Sequence, residues 1–218
     1  IVKIIGAFSK VLVARILGGE GIGLYMMAYP IYQIIVSISA AGIPVAISIM
    51  IAEKLANRDM RGVQQVFNVS LRVLTLVGII FSVGLYASAE WLIQWNIITD
   101  PRALIPIQLL SPAIIVVTIL SCFRGYFQGF QYMVPTGTSQ VFEQIFRVGS
   151  MVGLAYYFID SGLHLAAGGA TFATFPGVLA GLIVLVYFYR SQRSLRQQML
   201  SEQNEEVPIE RTSAVIKR

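Results

Sequence analysis

The stretch GIGLYMMAYPIYQIIVSISAAGIPVAISIMIA, from Gly21 to Ala52, contains no Asp, Glu, Lys, Arg or His. A helix of about 17–25 apolar residues is long enough to cross the hydrocarbon core of a bilayer. In the whole chain of 218 residues, 56% are apolar and 12% are charged, against roughly 45–50% and about 25% in soluble domains. A soluble fold of this size would leave large apolar patches exposed. We therefore expect a membrane protein.

Four further stretches without charged residues or histidine follow along the chain, at 73–89, 103–123, 125–142 and 165–189. Backbone groups in lipid must be satisfied internally, and these stretches lack the alternation that is typical of barrel strands. The sequence therefore predicts an all-α integral membrane protein with six transmembrane helices. We expect these helices at about 1–17, 23–52, 65–89, 103–128, 135–159 and 164–189.

The two ends of the chain differ in character. The opening helix is short and the chain does not begin with methionine, so we expect the start of this helix to be missing. After residue 190 the sequence becomes polar and carries Glu202, Glu205, Glu206 and Pro208. We therefore expect residues 1–190 to form one transmembrane unit and residues 191–218 to form a polar cytoplasmic linker or tail.

Cationic residues are concentrated on one side of the predicted bundle. This side carries Lys54, Arg58, Arg61, Arg124, Arg190, Arg193 and Arg196. The other side carries Glu20, Glu90, Asp100, Arg102, Asp160 and His164. Because connections rich in lysine and arginine stay in the cytoplasm, we expect the first side and both termini of the six-helix unit to be cytoplasmic.

The composition also excludes several kinds of site. One cysteine, Cys122, and one histidine, His164, cannot form an internal disulfide or a Cys/His zinc site. Much of the net charge of +5 lies in flanks and connections rather than on one basic face, so nucleic-acid binding is not indicated. We expect no metal, no cofactor and no catalytic residues.

Polar residues of the fifth predicted helix recur at spacings of three and four and so form one stripe. Its members are Thr136, Gln140, Glu143, Gln144, Arg147 and Ser150. Charged side chains in a membrane helix must face other helices or water, and the i,i+4 spacing of Glu143 and Arg147 suits a salt bridge. Two interpretations stay open: a structural ion pair, or part of the lining of a transport cavity.

The first two helices carry further candidates. Lys3, Lys10 and Arg15 lie on the first helix, and a lysine inside the membrane needs a partner or a water-filled cavity. Arg15 could instead extend its guanidinium to the outer interface. A second stripe, formed by Tyr25, Tyr29 and Tyr32, could stack on sugar rings, but packing or an interfacial position is the favoured interpretation.

Several motifs resemble one family of membrane transporters. They are KIIGAFSK at 3–10, VARILGGEGIGLY at 13–25, AYPIY at 28–32, FRGYFQG at 123–129 and SQVFEQIFRV at 139–148. They resemble the oligosaccharide flippases of the polysaccharide-transport family, within the multidrug/oligosaccharidyl-lipid/polysaccharide exporter superfamily. The resemblance is to the branch that contains stage V sporulation protein B and the lipid II flippases of Gram-positive bacteria.

This resemblance implies a MATE-like transporter of two six-helix lobes that works by alternating access, with this chain as the N-terminal lobe. The implied substrate is a lipid-linked oligosaccharide, a peptidoglycan or polysaccharide precursor, whose pyrophosphate is attracted by cationic residues of the cavity. Lys3 and Lys10 match the family's cationic cavity positions on the first helix. Together with the polar stripe, the candidate cavity residues are Lys3, Lys10, Arg15, Gln140, Glu143 and Arg147.

Two other functions stay open at this point. A relative of multidrug antiporters would bind cations through buried carboxylates, but the charge balance within the predicted helices is cationic, with Glu143 as the main deep acid. A membrane assembly partner that does not transport would use the polar stripe to contact another protein. The expected partners are the lipid-linked substrate, membrane lipids and a second six-helix lobe.

The predicted topology can be tested by cysteine labelling in a variant in which Cys122 is replaced by serine. Single cysteines at Arg58 and Asp100 should react from opposite sides of the membrane, with Arg58 on the cytoplasmic side, because the arginine-bearing connections cluster there. Labelling of both positions from the same side would contradict the six-helix assignment.

Overall fold

The computed structural model of the chain describes residues 2–40 and 42–194, with their side chains from residue 11 onward. These residues contain no strand, and the predicted all-α class is confirmed. The α-helices are α1 (Val2–Ala40), α2 (Ile43–Ala56), α3 (Met60–Gln94), α4 (Leu104–Gly129), α5 (Val134–Phe158), α6 (Leu163–Phe172) and α7 (Thr174–Ser191). Short 3-10 helices at Pro101–Ala103 and Ile159–Ser161 precede α4 and α6.

The middle of the chain forms the helices that the sequence predicts. The helices expected at 103–128 and 135–159 are α4 and α5, each shifted by one residue. The helix expected at 65–89 is α3, which extends five residues further at each end. Its N-terminus lies at the polar α2–α3 connection. There the carboxylate of Asp59 caps the helix by accepting a hydrogen bond of 2.7 Å from the backbone N–H of Gly62.

The second predicted helix, 23–52, is not continuous. Helix α1 runs from the first predicted helix through to Ala40, with one break at Gly18, whose φ of 67° lies in the left-handed region. A second left-handed glycine, Gly42 with a φ of 80°, separates α1 from α2. Pro44 follows in the first turn of α2, where its missing N–H does no harm. The helix therefore ends and restarts at this point.

The sixth predicted helix, 164–189, is also divided, with Ala173 between α6 and α7. Pro176 explains the position of this break, because a proline has no N–H and its ring clashes with the carbonyl group four residues earlier. That carbonyl group belongs to Phe172, the last residue of α6.

Four stretches of the described residues are long and apolar enough to cross a membrane: Val11–Ala56, Met60–Gln94, Pro101–Gly129 and Leu163–Ser191. Val11–Ala56 has 46 residues, which exceeds one crossing at roughly 1.5 Å per residue. Helix α5 has 25 residues but is not among the four, because the polar stripe lowers its hydropathy. The chain is a multi-pass membrane protein, and six crossings remain a prediction.

The helices enclose two hydrophobic cores, which follow one another along the lengths of α3 and α4. The first joins α1 and α6 to the C-terminal parts of α3 and α5 and the N-terminal part of α4. The second joins α2 and α7 to the N-terminal part of α3 and the C-terminal part of α4. Helix α4 contributes fully buried residues to both, including Leu110 and Ile114 in one and Cys122 and Phe127 in the other. The breaks at Gly42 and Ala173 therefore separate helices that belong to different cores.

Three of the charged residues that the sequence places on one side lie together in the structure. Arg102, before α4, forms an ion pair of 2.7 Å with Glu20 of α1 and another of 2.8 Å with Asp100. Hydrogen bonds from Arg102 lower the pKa of the Asp100 carboxyl group below its ordinary value. Any stability that this exposed pair contributes is therefore present at neutral pH and is lost as the pH falls through the lowered pKa.

Helices α2 and α4 approach closely at Gly125, and this contact can be tested. A Cβ added there would lie 2.8 Å from the carbonyl oxygen of Pro44 and 2.9 Å from Cβ of Ile47. Gly125→Ala should therefore destabilise the protein by about 1–3 kcal/mol, as overpacking does, and lower the midpoint of thermal unfolding in detergent. Gly84→Ala is the matched control, since a Cβ at Gly84 meets nothing within 4 Å. An equal effect of both substitutions would contradict the close contact.

Candidate functional site

Glu143 lies near the middle of α5 and is buried, with 9% of its surface exposed. Two glycines of α7 let the helices approach at this point. A Cβ at Gly177 would lie 2.7 Å from Cβ of Arg147, and a Cβ at Gly181 would lie 3.3 Å from Cβ of Glu143. The polar part of α5 is therefore covered by backbone rather than by bulky side chains.

The Glu143 carboxylate is shared by two arginines. Its Oε2 accepts a hydrogen bond of 2.7 Å from Nη2 of Arg124, near the end of α4. Its Oε1 accepts a hydrogen bond from Nη2 of Arg147, one turn further along α5. We call these three side chains the ionic cluster. The salt bridge expected between Glu143 and Arg147 is present, and the cluster also links α4 to α5.

Arg124 belongs to the ionic cluster but is absent from the candidate cavity residues predicted from sequence. The sequence predicts it only as a cation on the cytoplasmic side, and the structure adds that its side chain turns into the bundle and is 21% exposed. The Arg124 side chain reaches Glu143 across 19 residues of sequence, and only the short connection 130–133 separates α4 from α5. The available signal was a single cation between two apolar stretches, 103–123 and 125–142.

The ionic cluster has a positive charge in excess. Two guanidinium groups and one carboxylate carry a net charge of +1. The Nε atoms of Arg124 and Arg147 are buried and have no hydrogen-bond partner among the described residues. Of the other acidic residues of the described chain, Glu20 lies beside the break of α1 at Gly18, and the rest lie near helix ends or in connections: Glu53, Asp59, Glu90, Asp100 and Asp160. The cluster therefore has unused donors and no second internal counter-ion in the described part of the chain.

The tyrosine stripe lies on α1, a helix that packs against α5, which carries Glu143 and Arg147. The rings of Tyr25 and Tyr29 stack with centroids 5.3 Å apart, and Tyr32 follows at 5.8 Å from Tyr29. Because Tyr25 and Tyr32 are buried, the structure agrees with the packing interpretation for these two tyrosines, and their rings are not free to stack on a sugar.

Of the remaining candidates, the two with described side chains, Arg15 and Gln140, form no recorded bond with the cluster. Gln140 and Arg15 are both exposed. Lys3 and Lys10 lie within the helical range of α1, but their side chains are outside the described residues. In the described residues, no group of three His, Cys, Asp or Glu side chains could hold a metal ion.

Removing the shared carboxylate should destabilise the bundle. Glu143→Gln leaves two guanidinium groups without their counter-ion, which we expect to cost about 3 kcal/mol, the lower end of the range for breaking a buried ion pair. Thermal unfolding in detergent measures the effect. Arg102→Gln is the control, since the ion pairs of Arg102 are exposed and should contribute little. A Glu143→Gln variant as stable as the parent would show that the cluster does not hold α4 to α5.

Comparison with known proteins places this fold in a family. The family model described as "Polysaccharide biosynthesis protein" matches residues 1–205. The chain is 32% identical over 196 residues to stage V sporulation protein B of Bacillus subtilis (strain 168), covering 90% of this chain and 38% of that protein. It is 30% identical over 208 residues to lipid II flippase MurJ of the same organism, covering 90% of this chain and 38% of that protein.

A solved structure of MATE in complex with Br-NRF has the same fold, with a TM-score of 0.58 and 18% identity. The match covers 87% of this chain and 45% of the MATE chain. This chain thus spans less than half of the length of the proteins it matches. Since the family model covers nearly all of its residues, the chain belongs to the polysaccharide biosynthesis protein family.

Proposed function

We propose that the protein carrying this chain moves a lipid-linked oligosaccharide, a peptidoglycan or polysaccharide precursor, across the cell membrane by alternating access. The observation that carries the proposal is the ionic cluster of Arg124, Glu143 and Arg147, which has a net positive charge near the middle of α5. A cationic site favours an anionic pyrophosphate headgroup and disfavours a cation. The relative named lipid II flippase MurJ supports a lipid substrate.

The proposed cavity contains Lys3, Lys10, Arg15, Gln140, Glu143 and Arg147. Lys3 and Lys10 enter through their match to the family's cationic positions, and with Arg15 they would produce a positive potential that low-dielectric walls focus. Arg147 would contribute less than a free arginine, because Glu143 offsets part of its charge. Transport of this kind involves no bond making in the substrate, so we propose no enzymatic activity and no cofactor.

We further propose that this chain forms one of two lobes. The chain spans 38% of stage V sporulation protein B and of MurJ, and transporter cavities lie between two repeats that rock against each other. Residues 1–190 would form the N-terminal lobe, and residues 191–218 would form the linker. The positive-inside bias supports a cytoplasmic position for both ends of the lobe.

The test uses the full-length protein in liposomes that contain a fluorescent lipid-linked oligosaccharide, with its accessibility on each side measured over time. Lys10→Gln should slow flipping by about tenfold, corresponding to about 1.4 kcal/mol of lost charge attraction, while Lys10→Arg should preserve it. Arg72→Gln is the control, because Arg72 is an exposed cation of α3 that lies outside the proposed cavity.

Two results would contradict the proposal. If the Lys10→Gln variant flips the lipid normally and Glu143 is required for cation-driven drug efflux in a folded protein, the antiporter interpretation is correct. If the full-length parent protein moves neither kind of substrate, the chain acts as an assembly partner rather than as part of a transporter.

A further inference from the structure

The ionic cluster has more hydrogen-bond donors than its acceptor can satisfy. A guanidinium group has five N–H donors, and the bonds recorded between Glu143 and the two arginines each use one terminal nitrogen. The Nε donors of Arg124 and Arg147 are buried without a partner among the described residues. Buried charged donors of this kind are costly to leave unpaired. The two arginines are therefore suited to an acceptor with more oxygen atoms than a carboxylate.

We propose that Glu143 is an internal competitor for the anionic headgroup, holding Arg124 and Arg147 in place until a phosphoryl group of the substrate displaces it. This inference rests on the proposed function and deepens it by assigning the phosphoryl-binding residues. Arg124 is then a substrate-binding residue on α4, and Glu143 is a specificity-determining residue that does not itself contact the sugar.

The geometry of the carboxylate fits this role. Each oxygen of Glu143 binds a different arginine, on two different helices, so one group keeps both guanidinium groups oriented toward a common acceptor. A phosphoryl group also bridges two arginines and offers more acceptor oxygens than a carboxylate. Replacing a carboxylate by a phosphoryl group therefore keeps the link between α4 and α5 and adds partners for the unused donors.

Competition also explains how the site would select its ligand. A neutral headgroup offers no charge to replace the carboxylate, so Glu143 stays bound to both arginines. A diphosphate carries several negative charges close together and can compete with a single carboxylate. Glu143 thus weakens the binding of every anion, and it weakens the binding of weakly charged headgroups most. The site gains specificity because the wrong ligands cannot displace the carboxylate.

The experiment measures binding of inorganic pyrophosphate and of farnesyl diphosphate to the full-length protein in detergent by calorimetry. Glu143→Gln removes the competitor and should bind both probes about tenfold more tightly or better, since the charge of the cluster rises from +1 to +2. Arg124→Gln and Arg147→Gln should each weaken binding about tenfold. Arg72→Gln is the matched control and should leave both affinities unchanged, because Arg72 is an exposed cation of α3 and is not a member of the ionic cluster.

A second comparison keeps the test decisive if Glu143→Gln does not fold. The double variant Arg124→Gln/Glu143→Gln should bind both probes more tightly than Arg124→Gln alone, since these two proteins differ only in the competitor. A structural role for Glu143 predicts no gain in affinity in either comparison, and that result overturns the inference. Binding of neither probe to any variant, or an effect of Arg72→Gln as large as that of Arg147→Gln, also overturns it.

The outcomes also separate this inference from the proposed function. If the lipid-linked oligosaccharide is not flipped but the predicted order of affinities is found, the transport proposal fails and the phosphoryl site stands. If flipping occurs and Glu143→Gln gains no affinity for either probe, transport stands and the internal competitor is rejected.

Discussion

A carboxylate near the middle of a membrane helix cannot face lipid, and the arrangement of α4, α5 and α7 follows from this constraint. Glu143 turns inward and is paired with a cation from its own helix and another from α4. The backbone at Gly177 and Gly181 covers the same part of α5, since larger residues there would separate the helices. One charged side chain thus links α4 to α5, and close packing at two glycines adds α7.

The parts of this structure that depend on local sequence could be predicted, and the parts that depend on tertiary contacts could not. Helices α4 and α5 and the pair of Glu143 with Arg147 follow from apolar length and from a spacing of four residues. Arg124 is 19 residues from Glu143, and its role depends on the direction in which α4 approaches α5. The break before Pro176 could have been placed from proline chemistry, but the sequence does not indicate that different cores lie on either side of it.

Similarity to known proteins identifies the family and the fold, and the structure identifies the side chains that form the candidate site. Family membership rests on a match over residues 1–205, while the MATE structure, at 18% identity, supports the fold alone. Neither identifies which side chains would meet a substrate. The charge of the ionic cluster and its unpaired Nε donors are the features that favour an anionic ligand.

The division into two cores has a consequence for how such a chain can change in length during evolution. Helices α3 and α4 run without a break through both cores. One residue inserted near the start of either helix would rotate all its later side chains by about 100° and disturb the packing of both cores. The interruptions at Gly42 and Ala173 reset the helical register between the cores. Insertions and deletions should therefore be tolerated at these two junctions while α3 and α4 keep a fixed length.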